Sequence, residues 1–323
     1  MQAIVYTAYG PPSMLSLREI ETPPLRELDV LVRVHAASVN SWDRDNLRGA
    51  FANRGMLGWR RPRIPVLGGD IAGRVQSVGR GVTRWKPGDE VFGDSSNSGW
   101  GGFAEYARIP EHVLVAKPPA LSFAQAAAMP QAGVIALQGI RDHGKVQARD
   151  RVLINGAGGG VGSFAVQLAK LYGAEVTGVD AEAKLPLVKA LGADHVMDYR
   201  TQDYARSGER YDFVLDCELH RSPLDCRRAL APRGRLTVVG GAPLRILQAF
   251  VVGLWLGRRS GQQMSVLIHQ ANKDLAHLAG LAVQGHIHSA IEREYELSEV
   301  PLALQRICEG SVIGKAVIVI VRD

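Results

Sequence analysis

The run Asn155-Gly156-Ala157-Gly158-Gly159-Gly160-Val161-Gly162 restricts the folds open to this chain more than any other segment. An apolar triplet, Val152-Leu153-Ile154, precedes it. After it, Val161, Phe164, Ala165, Leu168 and Leu171 recur at the i, i+3, i+4, i+7 spacing of one helix face. A glycine motif standing alone says little; set between a buried strand and an amphipathic helix, it predicts a dinucleotide-binding turn. The spacing is Ala157-x-Gly159-x-x-Gly162, with alanine at the first position. Gly159 lets backbone approach a pyrophosphate, and Gly162 lets helix and strand pack closely. The helix start at Gly160 and Val161 offers amide donors and a positive dipole end. Gly156, Ala157 and Gly158 complete the expected cofactor turn. The competing reading is a turn with a structural role only.

The turn opens a change of grammar. Before it, β-type runs such as Ala3–Tyr6, Val30–Val34, Ile71–Val78 and Glu90–Phe92 are separated by Gly/Pro turns, and the first third reads as all-β. Residues 48–65 lack periodicity and read as a long surface loop. A helix is expected from Ser122, with Gln125 three residues on in a capping-box pattern. Then strands and helices alternate: Arg151–Asn155, Glu175–Val179, His195–Met197, Asp212–Leu215, Arg235–Val239 and a weaker Met264–Ile268. Alternating βα units require crossovers and so predict a parallel, doubly wound sheet. β character returns after a helix near Asp274–Gln284, and the last strand, Ala316–Val321, is expected to rejoin the N-terminal β domain. The expected division is 1–123 plus 287–323 as the β domain, with 124–286 inserted as the nucleotide domain.

Asp180 ends the second strand, 18 residues beyond Gly162. A carboxylate there is expected to accept hydrogen bonds from ribose hydroxyls, which favours NADH. Lys184, one turn on, points instead toward NADPH, and where Lys189 and Arg200 put their charge is left open. The residues leave NADH and NADPH both open. The net charge of +6 does not signal nucleic acid, because the basic residues are scattered rather than gathered into a stripe. The three cysteines form no CxxC and no cluster, which argues against a disulfide framework or a cysteine zinc lobe and for a reducing cytoplasm. No run is long and apolar enough for a membrane span, and the opening MQAIVYTAYG lacks the character of a signal peptide. The sequence LRILQAFVVGLWLGRR at 244–259 admits three readings: a helix packed on the core or on a second subunit, an apolar lid, or a membrane-surface helix.

Taken together, several stretches resemble the medium-chain dehydrogenase/reductase superfamily, and within it the zinc-independent quinone-oxidoreductase branch. They are MQAIVYTAYGPP, the run ending at Asn40, Trp85–Gly93, Gly102–Tyr106, the glycine turn, Leu191-Gly192-Ala193-Asp194, and Gly314-Lys315-Ala316-Val317. The resemblance implies an α/β architecture: a GroES-like β domain with an inserted Rossmann domain of six parallel strands, and an active site between them. Zinc-dependent members carry a cysteine where this chain has Asn40, and Gly-His-Glu where it has Gly68-Gly69-Asp70. No metal is therefore expected, and His286 and His288 are read as surface or packing residues.

Without a Lewis acid, the expected substrate is one already activated toward hydride: a small, hydrophobic quinone or α,β-unsaturated carbonyl. The protein then contributes orientation and a dry, polarised site. By resemblance, Asn40 lies near the nicotinamide and donates to the substrate oxygen or the cofactor, with Asp43 capping the following turn and orienting it. A plain loop of turn-forming residues is the alternative. Gly240 and Gly241, after the fifth strand of the series, are expected beside the nicotinamide. No residue stands out as proton donor. Zinc-free alcohol dehydrogenation and a non-catalytic NAD(P)H sensor remain as other functions, and a homodimer as a possible assembly.

Overall fold

The computed structural model describes residues 1–50, 54, 58–256 and 261–321, and its chain divides into two compact units. The first comprises Met1–Ala132, Ala271–Gly285 and Ile291–Asp323; the second comprises Gly133–Gln270 and His286–Ala290. Part of the 48–65 segment, and 257–259 of the apolar segment, lie outside the described residues.

The first unit begins with β1 (Gln2–Val5), β2 (Ser16–Glu19), β3 (Asp29–Val39), β4 (Asp70–Val78), β5 (Glu90–Asp94), β6 (Tyr106–Pro110) and β7 (Val115–Ala116). β3 is long because it serves two partners in turn: β6 pairs with Asp29–Arg33, and a C-terminal strand pairs with Ala36–Val39. Its Val30, Val32 and Val34 are buried with Ile71, Val91 and Phe103 in one core. The helix Phe123–Ala127 starts where its capping box predicts. Gln125 N donates to Ser122 Oγ (3.1 Å), and Ser122 N donates to Gln125 Oε1 (2.9 Å).

The second unit holds β8 (Arg151–Asn155), β9 (Glu175–Asp180), β10 (His195–Asp198), β11 (Tyr211–Asp216), β12 (Leu230–Val238) and β13 (Gln263–Val266). They form one sheet in the order β10-β9-β8-β11-β12-β13, every pair parallel. The order reverses at β8, so the carboxyl ends of β8, β9 and β11 border the crevice where open α/β sheets bind ligands. The helix Gly160–Leu171 follows β8 through the glycine turn.

β14 (Ile291–Glu296) and β15 (Lys315–Val319) close the chain. β15 pairs antiparallel with β3, so the C-terminus does return to the first sheet, whose order is β14-β15-β3-β4-β5-β7 with β6 on β3. This is the GroES-like sheet plus the six-stranded Rossmann sheet. The observed units differ from the expected division at three places: residues 124–132 and 271–285 fall with the first unit, and residues 287–290 with the second. The capped helix packs on β3 and β4. Asn272 fastens the later segment to the end of β5: its Oδ1 accepts from Asp94 N (2.7 Å) and its Nδ2 donates to Asp94 O (2.9 Å). Helical periodicity reports the class of an element, not which sheet it covers.

Candidate active site

In the second unit the glycine turn has the form its spacing predicts. Gly156 stands at φ +81°, and its amide and that of Ala157 both donate to Val179 O, tying the turn to the end of β9. Gly159 is the N-cap of the helix, in extended conformation at φ −88°. A Cβ added there meets nothing nearer than Gly156 O at 3.4 Å, so the space in front of Gly159 is open. A Cβ at Gly162 would overlap the Gly156 carbonyl oxygen, and one at Gly158 would come within 2.6 Å of Lys184 Cβ. The first-turn amides of Gly160, Val161 and Gly162 lack intrahelical acceptors by helix geometry. Open space beside free amides at a helix N-terminus fits the pyrophosphate of a dinucleotide.

Asp180 is turned into this loop. Gly158 N donates to its Oδ2 and Ala181 N to its Oδ1, both at 2.8 Å, and the residue is 7% exposed. Lys184 Nζ stands 3.9 Å from Oδ1. Across the sheet Asp198 pairs with Asp180, and Tyr199 N donates to Asp180 O (3.3 Å). Arg200, stacked over Tyr199 at 5.7 Å, therefore follows the strand neighbouring Asp180. Lys189 is occupied elsewhere, donating to Asp194 O (2.7 Å). Since its carboxylate orders the turn, Asp180→Ser is expected to weaken NADH and NADPH binding by similar factors, about tenfold for one charge-assisted backbone bond. Titrating both cofactors by fluorescence checks this; a shift in their ratio would show that Asp180 reads the ribose.

Gly240 and Gly241 follow β12 and pack against the segment after β11. Gly241 has φ +133°, bridges to Leu219, and leaves no room for a Cβ within 2.5 Å of the Leu219 backbone. Asp216, at the end of β11, ties that segment to β8: its Oδ1 accepts from Asn155 Nδ2 (2.8 Å) and from Glu218 N (3.1 Å). Complete burial raises its carboxyl to about 6.

In the first unit the loop after β3 begins a helix at Ser41–Leu47, with Asn40 as N-cap and Asp43 closing the capping box. Asp43 Oδ2 accepts from Asn40 N (2.8 Å) and Oδ1 from Gly68 N (3.0 Å). The Asn40 side chain is held at both ends. Its Oδ1 accepts from Lys315 Nζ at 2.6 Å, and its Nδ2 donates to Asp70 Oδ2 at 2.9 Å. Ser38 Oγ donates to the same Asp70 oxygen (3.0 Å), and Gln131 N donates to Oδ1 (3.1 Å). The Gln131 Nε2 is buried without a hydrogen-bond partner. The cluster comes from one end of four adjacent strands: Lys315 opens β15, Asn40 follows β3, Asp70 opens β4 and Asp94 ends β5, directly opposite Asp70. The resemblance singles out Asn40 and Asp43. It gives no site role to Lys315 or Asp70, which fall in stretches compared with the family, nor to Asp94 or Gln131, and their meeting with Asn40 depends on long-range packing.

Three carboxylates and one ammonium are buried together. Burial raises Asp43 to about 7, against the amide donors of Asn40 and Gly68. Burial, and then the nearby charge of Asp94, raise Asp70 as well. Lys315 is lowered by burial, although Asp70, Asp43 and Asp94 all pull it upward. This donor set does not suit zinc. The Asn40 oxygen already receives an ammonium, which would repel a dication, and Gly69 has no side chain to ligate one.

The model of the alcohol dehydrogenase GroES-like domain matches residues 26–119, and that of the zinc-binding dehydrogenase family matches 191–318. A chloroplastic quinone oxidoreductase of Triphysaria versicolor is 31% identical over 331 residues, covering 98% of each chain. This chain belongs to the medium-chain dehydrogenase/reductase superfamily, in its quinone-oxidoreductase-like branch. A mitochondrial NAD(P)H oxidoreductase of Homo sapiens is 30% identical over 362 residues, covering 99% of this chain and 89% of the relative. The solved structure of the quinone oxidoreductase from Coxiella burnetii superposes with a TM-score of 0.87 at 30% identity, covering 100% and 99% of the two chains. Within this superfamily the present chain departs from the zinc-dependent pattern at Asn40 and Gly69.

Proposed function

We propose that the protein is an NAD(P)H-dependent oxidoreductase that delivers hydride to a quinone or an α,β-unsaturated carbonyl without zinc. The observation that carries this reading is the Asn40 amide, clamped between Lys315 and Asp70 where zinc-dependent members place a metal ligand. The bound dinucleotide supplies the hydride. Lys315 takes the amide oxygen and Asp70 one N–H, so what Asn40 offers a substrate is its second N–H, held only by a long 3.5 Å contact to Ser38 Oγ, and the adjacent ammonium makes it a better donor. A donor of this kind suits an oxygen that gains negative charge as hydride arrives at a conjugated carbon. It does not help an alcohol lose its proton. Asp43 orients Asn40 through the helix cap, and Asp70 fixes the amide's rotation.

NADPH is the proposed preferred cofactor. The Asp180 carboxylate is committed to backbone amides, while Lys184, 3.9 Å from it in the turn after β9, and Arg200, just after β10, supply positive charge. The glycine turn from Gly156 to Gly162 holds the pyrophosphate, and Gly240 and Gly241 shape the sheet end nearby. The three free thiols suit a reducing compartment, proposed to be the cytoplasm.

A panel of quinones and enals with each nicotinamide, followed by cofactor oxidation before and after chelation, tests the proposal. Turnover with NADPH unchanged by chelation is expected. Stoichiometric zinc whose removal abolishes turnover would overturn the metal-free reading. Tight cofactor binding with no turnover of any substrate would leave a sensor.

A further inference from the structure

Residues 226–270 contain seven arginines and no lysine, aspartate or glutamate. The chain as a whole carries +6, so everything outside this stretch has a net charge of −1. All of that excess falls in one segment of the second unit, and the same segment holds a helix with its apolar side outward. In Pro243–Leu256, Leu244 is 65% exposed, Leu247 59%, Phe250 57% and Val251 58%, while Ala249 is fully buried. At 100° per residue the four exposed side chains span an arc of about 120°. A helix on the surface of a globular unit ordinarily turns such an arc to the core.

The helix Pro223–Cys226 packs on this one. Its exposed Leu224 lines a cavity of about 460 Å³ with Arg210, Arg227 and Arg228. Arg227 Nε donates to Gln262 Oε1 (2.8 Å), Arg228 lies 3.5 Å from Asp225, and Arg210 has no acidic partner among the described residues. Three guanidinium groups thus face the cavity against a single carboxylate.

The charge decides between occupants. A two-fold contact with a second copy sets the same patch against itself, bringing arginines toward arginines with a single acid, Asp225, beside them to pair with. An anionic bilayer offers both halves of what the surface lacks, an apolar boundary and a sheet of phosphates. We propose that this helix and the adjoining arginine cavity are a peripheral docking surface for an anionic phospholipid bilayer. Leu244, Leu247, Phe250 and Val251 enter the acyl boundary, and Arg210, Arg227 and Arg228 take headgroup phosphates. No helix among the described residues is long and apolar enough to cross a membrane, so the contact stays at the surface.

The test is co-sedimentation of the full chain with phosphatidylcholine vesicles, with and without phosphatidylglycerol, at low and high salt. Binding only to the phosphatidylglycerol vesicles, weakened by salt, is expected. Arg227→Ala with Arg228→Ala should lower it about fivefold per arginine, and Leu247→Asp with Phe250→Asp should abolish it. Dinucleotide affinity, which reports an intact second unit, should be unchanged in both variants. Three results would overturn the proposal: no binding to anionic vesicles, binding insensitive to the helix variant, or a helix variant that turns a dimer into a monomer. The last would assign the stripe to a second copy. Displacement by glycerol phosphate without any effect of the helix variant would assign the cavity to a free anion and equally contradict the bilayer.

Discussion

Gly159→Val should lose dinucleotide affinity by a hundredfold or more while the protein still folds. The two halves of this expectation rest on different distances. A Cβ at Gly159 meets only one atom, at 3.4 Å, and the residue's φ of −88° is one that a β-branched side chain adopts readily. The added methyl groups therefore cost the fold little, but they fill the space where phosphate must reach the first-turn amides. Losing even two charge-assisted bonds of about 1.5–3 kcal/mol each gives the stated factor. Gly162→Val is the contrasting control, since its Cβ would overlap the Gly156 carbonyl and should prevent folding of the unit. Thermal unfolding with cofactor titration separates the two. Normal binding by Gly159→Val would show that the phosphates lie elsewhere.

Lys315→Met should destabilise the first unit by about 3–5 kcal/mol at alkaline pH, the cost of leaving buried charge without its partner. The loss should shrink as pH falls. Asp43 has a folded-state value of about 7, above its ordinary value of 3.8, because burial disfavours its charge. A carboxyl raised in this way binds its proton more tightly folded than unfolded. Its stabilising contribution is complete below about 3.8 and is lost as pH rises through about 7. Asp70 is raised in the same direction. Lys315, lowered by burial, works in the opposite sense, so removing it leaves the acid slope exposed. Melting of wild type and Lys315→Met between pH 5 and pH 9 should show curves that diverge upward in pH. Parallel curves would mean that Lys315 does not balance the carboxylates.

Local patterns carried much of the fold. The alternation of apolar runs located all six strands of the Rossmann sheet, and Ser122 with Gln125 located a helix start to the residue. Both signals arise within a few residues of chain, where periodicity and capping act. The placement of 124–132 and 271–285 was not legible, because the helix that packs on β3 and the Asn272 bonds to Asp94 are long-range contacts. The site divides along the same line. Asn40 and Asp43 are three residues apart and form one capping box, so their association can be read locally. Lys315 lies 275 residues from Asn40, and their contact follows from β15 pairing with β3. Nor does any local pattern show that Asp180 points into the loop, since the glycine turn itself supplies the amides that capture it.

The central claim is direct hydride delivery from a bound nicotinamide to a conjugated carbonyl or quinone on a metal-free protein. NADPH deuterated at the transferring C4 position, offered with an enal to chelated protein, tests it most directly. The account predicts one deuterium on the β-carbon of the saturated product, with loss of that turnover in Gly159→Val. A product without deuterium, or turnover that returns only when zinc is added, would contradict it.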